Sequence, residues 1–460
     1  MSVAASPAPA VSKSTAQATL IAALLGFFVI TLDAVVVNVA LPTLGHELGA
    51  NITGLQWVVD GYTLAFAALL LSAGALTDRL GAKRSFGLGV GVFVLASLAC
   101  GLAPNLGSLI AARFAQGVGA AVMMPSSMAL IRQAYADPVK QVHAIALWAM
   151  GGAVASTSGP VIGGLLVPLD WRWIFLVNLP VGLVTLWFLR HSAPSLTRVA
   201  PFDGWGQLTA MIAMGCLIYG AIDIGSHDSH PVLALLSLTV AVLMFALFIL
   251  LQRRGASPMI PPAVLQARNA RISMVVGFTF MVGYFGLPFV MSLYFQQERG
   301  LTAAATGVAF LPMMLIGLML TPFTSRLVQR FSARKLITTG LLCMAGGLLA
   351  IAGLPMSAPI WVASALMFLV GLAGPLIAPP ITAVLLSSVP NALTGTASGV
   401  FNTSRQVGGA LAVAVFGALL AQSSSFISGL RFSLVLAAVV ALITAVISLR
   451  LQPPPRPQAE

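Results

Sequence analysis

Residues 74–84 read GALTDRLGAKR and residues 325–335 read SRLVQRFSARK, each closing a long apolar run. Laid over one another, Leu76 falls on Leu327, Arg79 on Arg330, and the basic pair Lys83/Arg84 on Arg334/Lys335. Further along, GVGAAVMMP at 117–125 lines up with GLAGPLIAP at 371–379. Motifs that recur in the same order and spacing point to a duplication in one orientation. Parallel repeats of this kind are one architecture of secondary transporters, in which two bundles rock about a central cavity.

The segments between these turns set the class. Hydrophobic residues make up 58% of the 460 and charged residues 7%, whereas a soluble domain carries about a quarter charged. Lipid is therefore the expected solvent. A spanning helix needs roughly 20 mostly apolar residues, and such runs lie near 18–41, 54–76, 84–104, 106–132, 140–167, 173–190, 206–224, 231–252, 271–296, 302–322, 334–354, 358–384, 396–420 and 427–450. None alternates as barrel strands do, and backbone groups in lipid must bond internally, so the chain reads as an all-α membrane protein of fourteen helices. The pair near 206–252 has no counterpart in the repeat. The organisation is thus a disordered cytoplasmic tail at 1–17, a six-helix bundle over 18–191, a linker with two extra helices over 192–270, a second six-helix bundle over 271–450, and a tail at 451–460.

The formal charge of +12 would suggest nucleic acid in a soluble protein. Here the basic residues sort by side: Lys13, Arg79, Lys83, Arg84, Arg132, Lys140, Arg190, Arg198, Arg253, Arg254, Arg268, Arg271, Arg326, Arg330, Arg334, Lys335, Arg450 and Arg456 share one face if the helices alternate. Arg172, Arg299 and Arg431 fall at the other, and Arg113 and Arg405 lie within helices. That bias places both termini in the cytoplasm of a bacterial inner membrane. The first apolar run is long enough to span and lacks a cleavage site, so it reads as an uncleaved helix. Cys100, Cys216 and Cys343 lie in apolar runs with neither disulfide nor metal-ligand spacing. No metal, cofactor or nucleotide-binding loop is expected, and no nucleophile–base constellation suggests an enzyme.

With only eleven acidic residues, each needs a reason. Asp33 sits in LDAVVVNVALP (32–42) of the first helix, and an acid at a helix centre costs about 2.5–3.5 kcal/mol on insertion scales. It needs a partner, a cavity or a proton, and reads as a proton-carrying group facing the substrate cavity, with Asn38 and Gln116 beside it. Arg113, in LIAARFAQGVGAA (109–121) of the fourth helix, keeps its charge. Moving it toward or away from Asp33 would couple helix motion to protonation; the alternative is a pair that only holds helices together. Asp60, in QWVVDGYTLAF (56–66), is a second proton-coupling candidate or a wetted helix-end residue. Asp223 and Glu298 read as rim positions. His227 and His230 around Asp228 read as a solvated loop, and His143 as a helix-end residue.

Two further stretches read as mechanical. In 74–84, Gly74 and Gly81 permit tight packing and a sharp connection, and Asp78, Arg79 and Arg84 are placed to latch the cytoplasmic side. In GGAVASTSGPVIGG (151–164), Gly159, Gly163 and Gly164 form a face open to close approach, and Pro160 bends the helix.

Together with WRWIFLVNLPVG at 171–182, these ordered motifs resemble the major facilitator superfamily, in its fourteen-helix drug:proton antiporter branch of multidrug and methylenomycin-resistance efflux proteins. The resemblance runs over about 18–450. It implies the major facilitator fold and proton-driven export, an acidic first-helix residue matched by Asp33, and a proton-coupling arginine matched by Arg113. It also implies an antiporter motif in SGPVIGG. Three departures stand out: Ala155 replaces the motif's leading glycine, Val35 stands where relatives often carry a hydroxyl, and Gln329 replaces the counterpart of Asp78. The expected function is export of small hydrophobic compounds, some cationic, by a single chain in lipid. A narrow exporter of one antibiotic or metabolite is the rival; a proton-coupled importer or a non-transporting receptor fits the motifs less well.

Overall fold

The computed structural model describes residues 13–195, 197, 203–226, 230–255, 258–390 and 393–452. Fourteen helices are long and apolar enough to cross a membrane. In the first set these are α1 (Lys13–Leu48), α2 (Ile52–Leu80), α3 (Ala82–Gly101), α4 (Leu106–Ala134), α5 (Pro138–Leu166) and α6 (Trp173–Arg190). Then come α7 (Gly204–Gly225) and α8 (Pro231–Arg254). The second set is α9 (Arg268–Glu298), α10 (Leu311–Phe331), α11 (Ala333–Ala352), α12 (Ile360–Ser387), α13 (Thr394–Gln422) and α14 (Phe426–Ser448). No strand occurs among the described residues.

All fourteen expected runs are helical, with differences that have local causes. The first helix starts at Lys13, inside the stretch read as a tail, and runs through Pro42 to Leu48. Helix α6 breaks at Val177, between Trp173–Leu176 and Asn178–Arg190. Helix α10 is preceded by a short helix Ala303–Ala309 and passes through a tight turn, Thr321–Phe323, beside Pro322. A proline there has no N–H to continue the ladder. Residues 1–12 and 453–460 of the two tails, with Arg198, His227, Asp228 and Arg456, lie outside the described residues.

Within the first set, α4 packs on α1, α2 and α3, and α1 packs on α5 and α6; in the second, α9 packs on α12, α13 and α14, and α11 on α12 and α14. The sets meet along α2–α13 and α5–α10, with α1 touching α9 between those seams. Helix α7 lies over the α2–α13 seam and is bonded to both sides of it. Gln207 Nε2 donates to Ala68 O of α2 at 2.7 Å, while its amide oxygen accepts from Ser72. At its other end Ile224 O accepts from Gln422 of α13, and Gly225 sits against Ala418. Helix α8 packs mainly on α7 and shows a largely exposed apolar surface, including Val242, Leu243 and Phe245.

The repeat is visible in the backbone. Gly81 and Ser332, which align in the two turns, are both at positive φ, +84° and +70°.

The two ends of the molecule differ. At the end away from the basic turns the sets are bonded together: Ser292 Oγ donates to Asn38 O at 2.6 Å and Gln296 Nε2 to Val39 O at 3.0 Å. On the flanks, Gln56 Nε2 donates to Val413 O at 3.1 Å and Ala414 O at 2.6 Å, and a Cβ at Gly164 would lie 2.9 Å from Ala303 O. At the basic end Asp78, Leu80, Phe323 and Phe331 are exposed. The hydrogen bonds just named between the sets lie away from that end, which fits a central gap opening toward it.

Candidate functional site

Inside the first set, four helices deliver polar groups to one point. Asp33 from α1 and Arg113 from α4 form an ion pair in which neither side chain is more than 1% exposed. Asp33 Oδ1 also accepts from Gln116 Nε2 and from Asn178 Nδ2, each at 3.0 Å. Ser97 Oγ of α3 accepts from Gln116 Nε2 at 2.8 Å and from Asn178 Nδ2 at 3.3 Å. Arg113 is held by further groups: its Nε donates to Val58 O at 2.9 Å and its Nη1 to Gln116 Oε1 at 2.8 Å. Its guanidinium lies 4.6 Å from the Tyr62 ring centre and 5.6 Å from that of Phe175. Tyr62 is itself fixed by its hydroxyl donating to Ile30 O at 3.0 Å.

The local sequence explains this convergence. Arg113 and Gln116 are three residues apart on α4, so both lie on one helix face. Gly117 follows, and a Cβ there would stand 2.8 Å from Ala65 Cβ and 3.1 Å from Phe66 N. Its absence lets α2 and α4 come close enough for Arg113 to reach the Val58 carbonyl. The break in α6 turns Asn178 into the cluster. A charged pair in a dry interior is tolerable when further hydrogen bonds complete both partners, and Asp33 has three donors. Within the cluster, Arg113 Nη2 and Asn178 Oδ1 lack a partner.

Asp60 is the reverse case. It is fully buried on α2, and neither carboxyl oxygen has a hydrogen-bond partner. It is neither wetted nor at the rim. An unpaired carboxylate in such a place is costly.

Several expectations change. Asp33, Asn38 and Gln116 were assigned to a substrate cavity, yet they are 0%, 4% and 0% exposed. Asp33 and Gln116 face the interior of the first set, and Asn38 belongs to the seal, where its carbonyl takes the Ser292 bond. Of the residues expected to latch the cytoplasmic side, Asp78 and Arg84 are exposed. Asp78 makes no hydrogen bond or ion pair among the described residues. Lys83 instead ties the turn to the segment after α6: its N bonds Ser195 Oγ at 2.9 Å, and its Nζ bonds Arg190 O at 3.1 Å and Ser192 O. A Cβ at Gly74 would meet nothing within 4 Å, so that glycine serves no close contact here, whereas Gly81 takes up a positive φ that glycine adopts without strain.

The glycines of α5 do make close contacts. Added Cβ atoms would stand 3.1 Å from Val35 at Gly159 and 3.0 Å from Val36 O at Gly163, both on α1. Gly164 faces Ala303 in the other set, and Pro160 O lies against Gly307. The helix touches both sets through successive turns. Among the remaining acids, Asp223 Oδ2 accepts from His230 N at 3.3 Å and Glu298 is exposed, as is His143.

The family model of the Major Facilitator Superfamily matches residues 23–413. The chain belongs to the major facilitator superfamily. Among characterised facilitators it is similar to the methylenomycin A resistance protein of Bacillus subtilis, 35% identical over 92% of this chain and 91% of that one. It is also 36% identical to the multidrug resistance protein Stp of Mycobacterium tuberculosis, over 88% of this chain and 75% of Stp. A solved POT family transporter in complex with 5-aminolevulinic acid superposes with a TM-score of 0.71 at 14% identity, covering 94% of each chain. That likeness concerns the fold. In this facilitator the sequence reading passed over Asn178 and Ser97, which share the Asp33 cluster, and Gln56, Ser292 and Gln296, which seal the far end. Asn178 stands alone among apolar residues in IFLVNLPVG at 174–182, and that isolation is the signal for it.

Proposed function

We propose that this facilitator exports small hydrophobic compounds, toxic to the cell or made by it, in exchange for protons. Its relatives are named for methylenomycin A resistance and multidrug resistance, which supports the export direction. The basic end faces the cytoplasm on the charge bias of the loops, so the conformation described is open inward. Substrate enters the gap between the sets from the cytoplasm or inner leaflet, and alternating access releases it outside. The chain acts as a monomer.

The observation that carries proton coupling is the buried Arg113–Asp33 pair. A scaffold has no need of an acid and a base inside a membrane helix bundle, and such residues mark ion or proton pathways. In the inward-open state Asp33 is charge-balanced and fully hydrogen-bonded, while Asp60 holds a proton. A shift of α1 against α4 within the first set, driven by the rocking of the two sets, separates Arg113 from Asp33 and lets the Asp33 carboxyl take up a proton. Asp33 thus works from within the first set and does not touch the substrate.

The test uses inverted membrane vesicles with an acid interior and a pH-reporting dye. Addition of a transported compound should release protons from the interior, and Asp33→Asn and Asp60→Asn should each abolish that release while the protein still inserts. Proton release unchanged in Asp33→Asn would overturn the assignment. A panel of antibiotics and dyes in the same assay separates a multidrug pump from a narrow exporter by how many compounds give a signal.

A further inference from the structure

Arg113 is one of two arginines within the helices, and the second has no acid to meet. Arg405 lies eleven residues into α13 (Thr394–Gln422), about 17 Å from the basic end at about 1.5 Å per residue. The second set, residues 271–450, contains one acidic residue, Glu298, exposed at the opposite rim. We propose that Arg405 is the anion-binding group of the substrate site, and that transported compounds carry a carboxylate on an apolar body. The proposal rests on the export reading and names the substrate class for it.

The surroundings of Arg405 fit a ligand. Its stem packs across α9 at Gly277, where a Cβ would stand 3.1 Å from Arg405 Cγ. The guanidinium carbon is 5.9 Å from the Phe280 ring centre and 5.8 Å from that of Phe401, at the outer limit of useful cation–π attraction, about 6 Å. Nη1 reaches Asn402 Oδ1 at 3.3 Å, and Nε is buried without a partner. None of these neighbours supplies negative charge, and a guanidinium does not shed its proton. A cation kept unpaired at this depth is a functional signal.

Tyr284 of α9 lies within reach of both Arg405 and Ser156 of α5, and its hydroxyl donates to Met314 Sδ of α10 at 3.8 Å. Since Ser156 belongs to the first set, the site sits where the two sets face one another. Both Arg405 and Tyr284 are only half-buried although each is mid-helix, so they border the gap that opens to the basic end. A carboxylate there takes charge-assisted hydrogen bonds from the guanidinium and a further bond from the Tyr284 hydroxyl. The apolar body rests on Phe280, Phe401 and Met314. The cationic substrates expected from the sequence would meet like charge.

Binding of 1-naphthoate and of 1-naphthamide, one ring system with and without the anion, is measured by equilibrium dialysis on purified full-length protein in neutral detergent at neutral pH. Wild-type protein should prefer the naphthoate by about tenfold, the size expected of one hydrogen bond to a charged group. Arg405→Gln should bring the ratio to about one, and Arg405→Lys should keep most of it. Should Arg405→Gln fail to fold, Tyr284→Phe carries the test, weakening naphthoate on the order of threefold and leaving naphthamide unchanged. Naphthoate that does not bind, or binds no better than naphthamide, overturns the proposal, as does an unchanged ratio in Arg405→Gln. No proton gradient is involved in this binding measurement. Failure here is therefore distinguishable from failure of proton coupling in the vesicle assay.

Discussion

Gly81 and Ser332 occupy the same point of the two repeats and adopt nearly the same backbone, φ/ψ of 84°/144° and 70°/149°. Glycine takes up this region freely. A serine there is strained by about 1–3 kcal/mol. The turn geometry has been kept in the second half although the residue suited to it has not.

Ser332→Gly should therefore raise stability by about 1 kcal/mol, the relief of strain less the added freedom of the unfolded chain. Gly81→Ser should lower it by a similar amount or more, since a Cβ there also meets Ser195 at 3.3 Å. Thermal unfolding in detergent, with bound ligand held constant, reads both; equal shifts of one sign would contradict the strain argument.

Removing one member of a buried ion pair leaves the other uncompensated, which costs on the order of 3–5 kcal/mol. Arg113→Ala should lose about that much, because Asp33 keeps its burial and Val58 O loses its donor. The double variant Asp33→Asn/Arg113→Gln should be the more stable of the two, and neither should export. A double variant as unstable as Arg113→Ala would mean that packing, and not charge, dominates at this site.

At the closed end, Gly164 leaves no space for a side chain beside Ala303 O and Ala304 Cα, both 2.9 Å from an added Cβ. Gly164→Val should wedge α5 from the short helix 303–309 and favour the outward-open state. With a cysteine at Gln296, which belongs to the same seal, labelling by an impermeant maleimide should be faster in the Gly164→Val background. Equal labelling rates would show that this contact does not hold the end shut.

Gly74 has open space around it in this conformation, so Gly74→Ala should leave thermal stability within about 0.5 kcal/mol. Export should nonetheless slow if the turn must pack closely when the basic end closes, and the slowing should deepen with Gly74→Val. Full export activity in both variants would remove the turn from the gate.

The helix count, the duplication and the pairing of Asp33 with Arg113 were legible because lipid makes them so. A spanning segment has a fixed minimum length, and an ionised group inside one needs a partner. Ser97 was not legible in the same way, since a neutral polar side chain in a membrane helix bonds its own backbone readily, and Asn178 offers only its isolation among apolar neighbours as a sign. Gly74 misled for a related reason: a glycine on a helix looks the same whether a neighbour presses on it in this state, in another, or in none. Which end stands open is not a property of sequence at all, because both states of a rocking transporter use the same chain.

Helix α7 is sewn by Gln207 to α2 at one end and through Ile224 to Gln422 of α13 at the other. The halves therefore part like the covers of a book, with α7 along the spine, and the extra pair of helices keeps that margin bound. The α5–α10 edge is held more lightly, with Thr157 Oγ1 donating to Met314 O at 3.3 Å. A compound dissolved in the bilayer meets a page edge on one side of the molecule and a binding on the other.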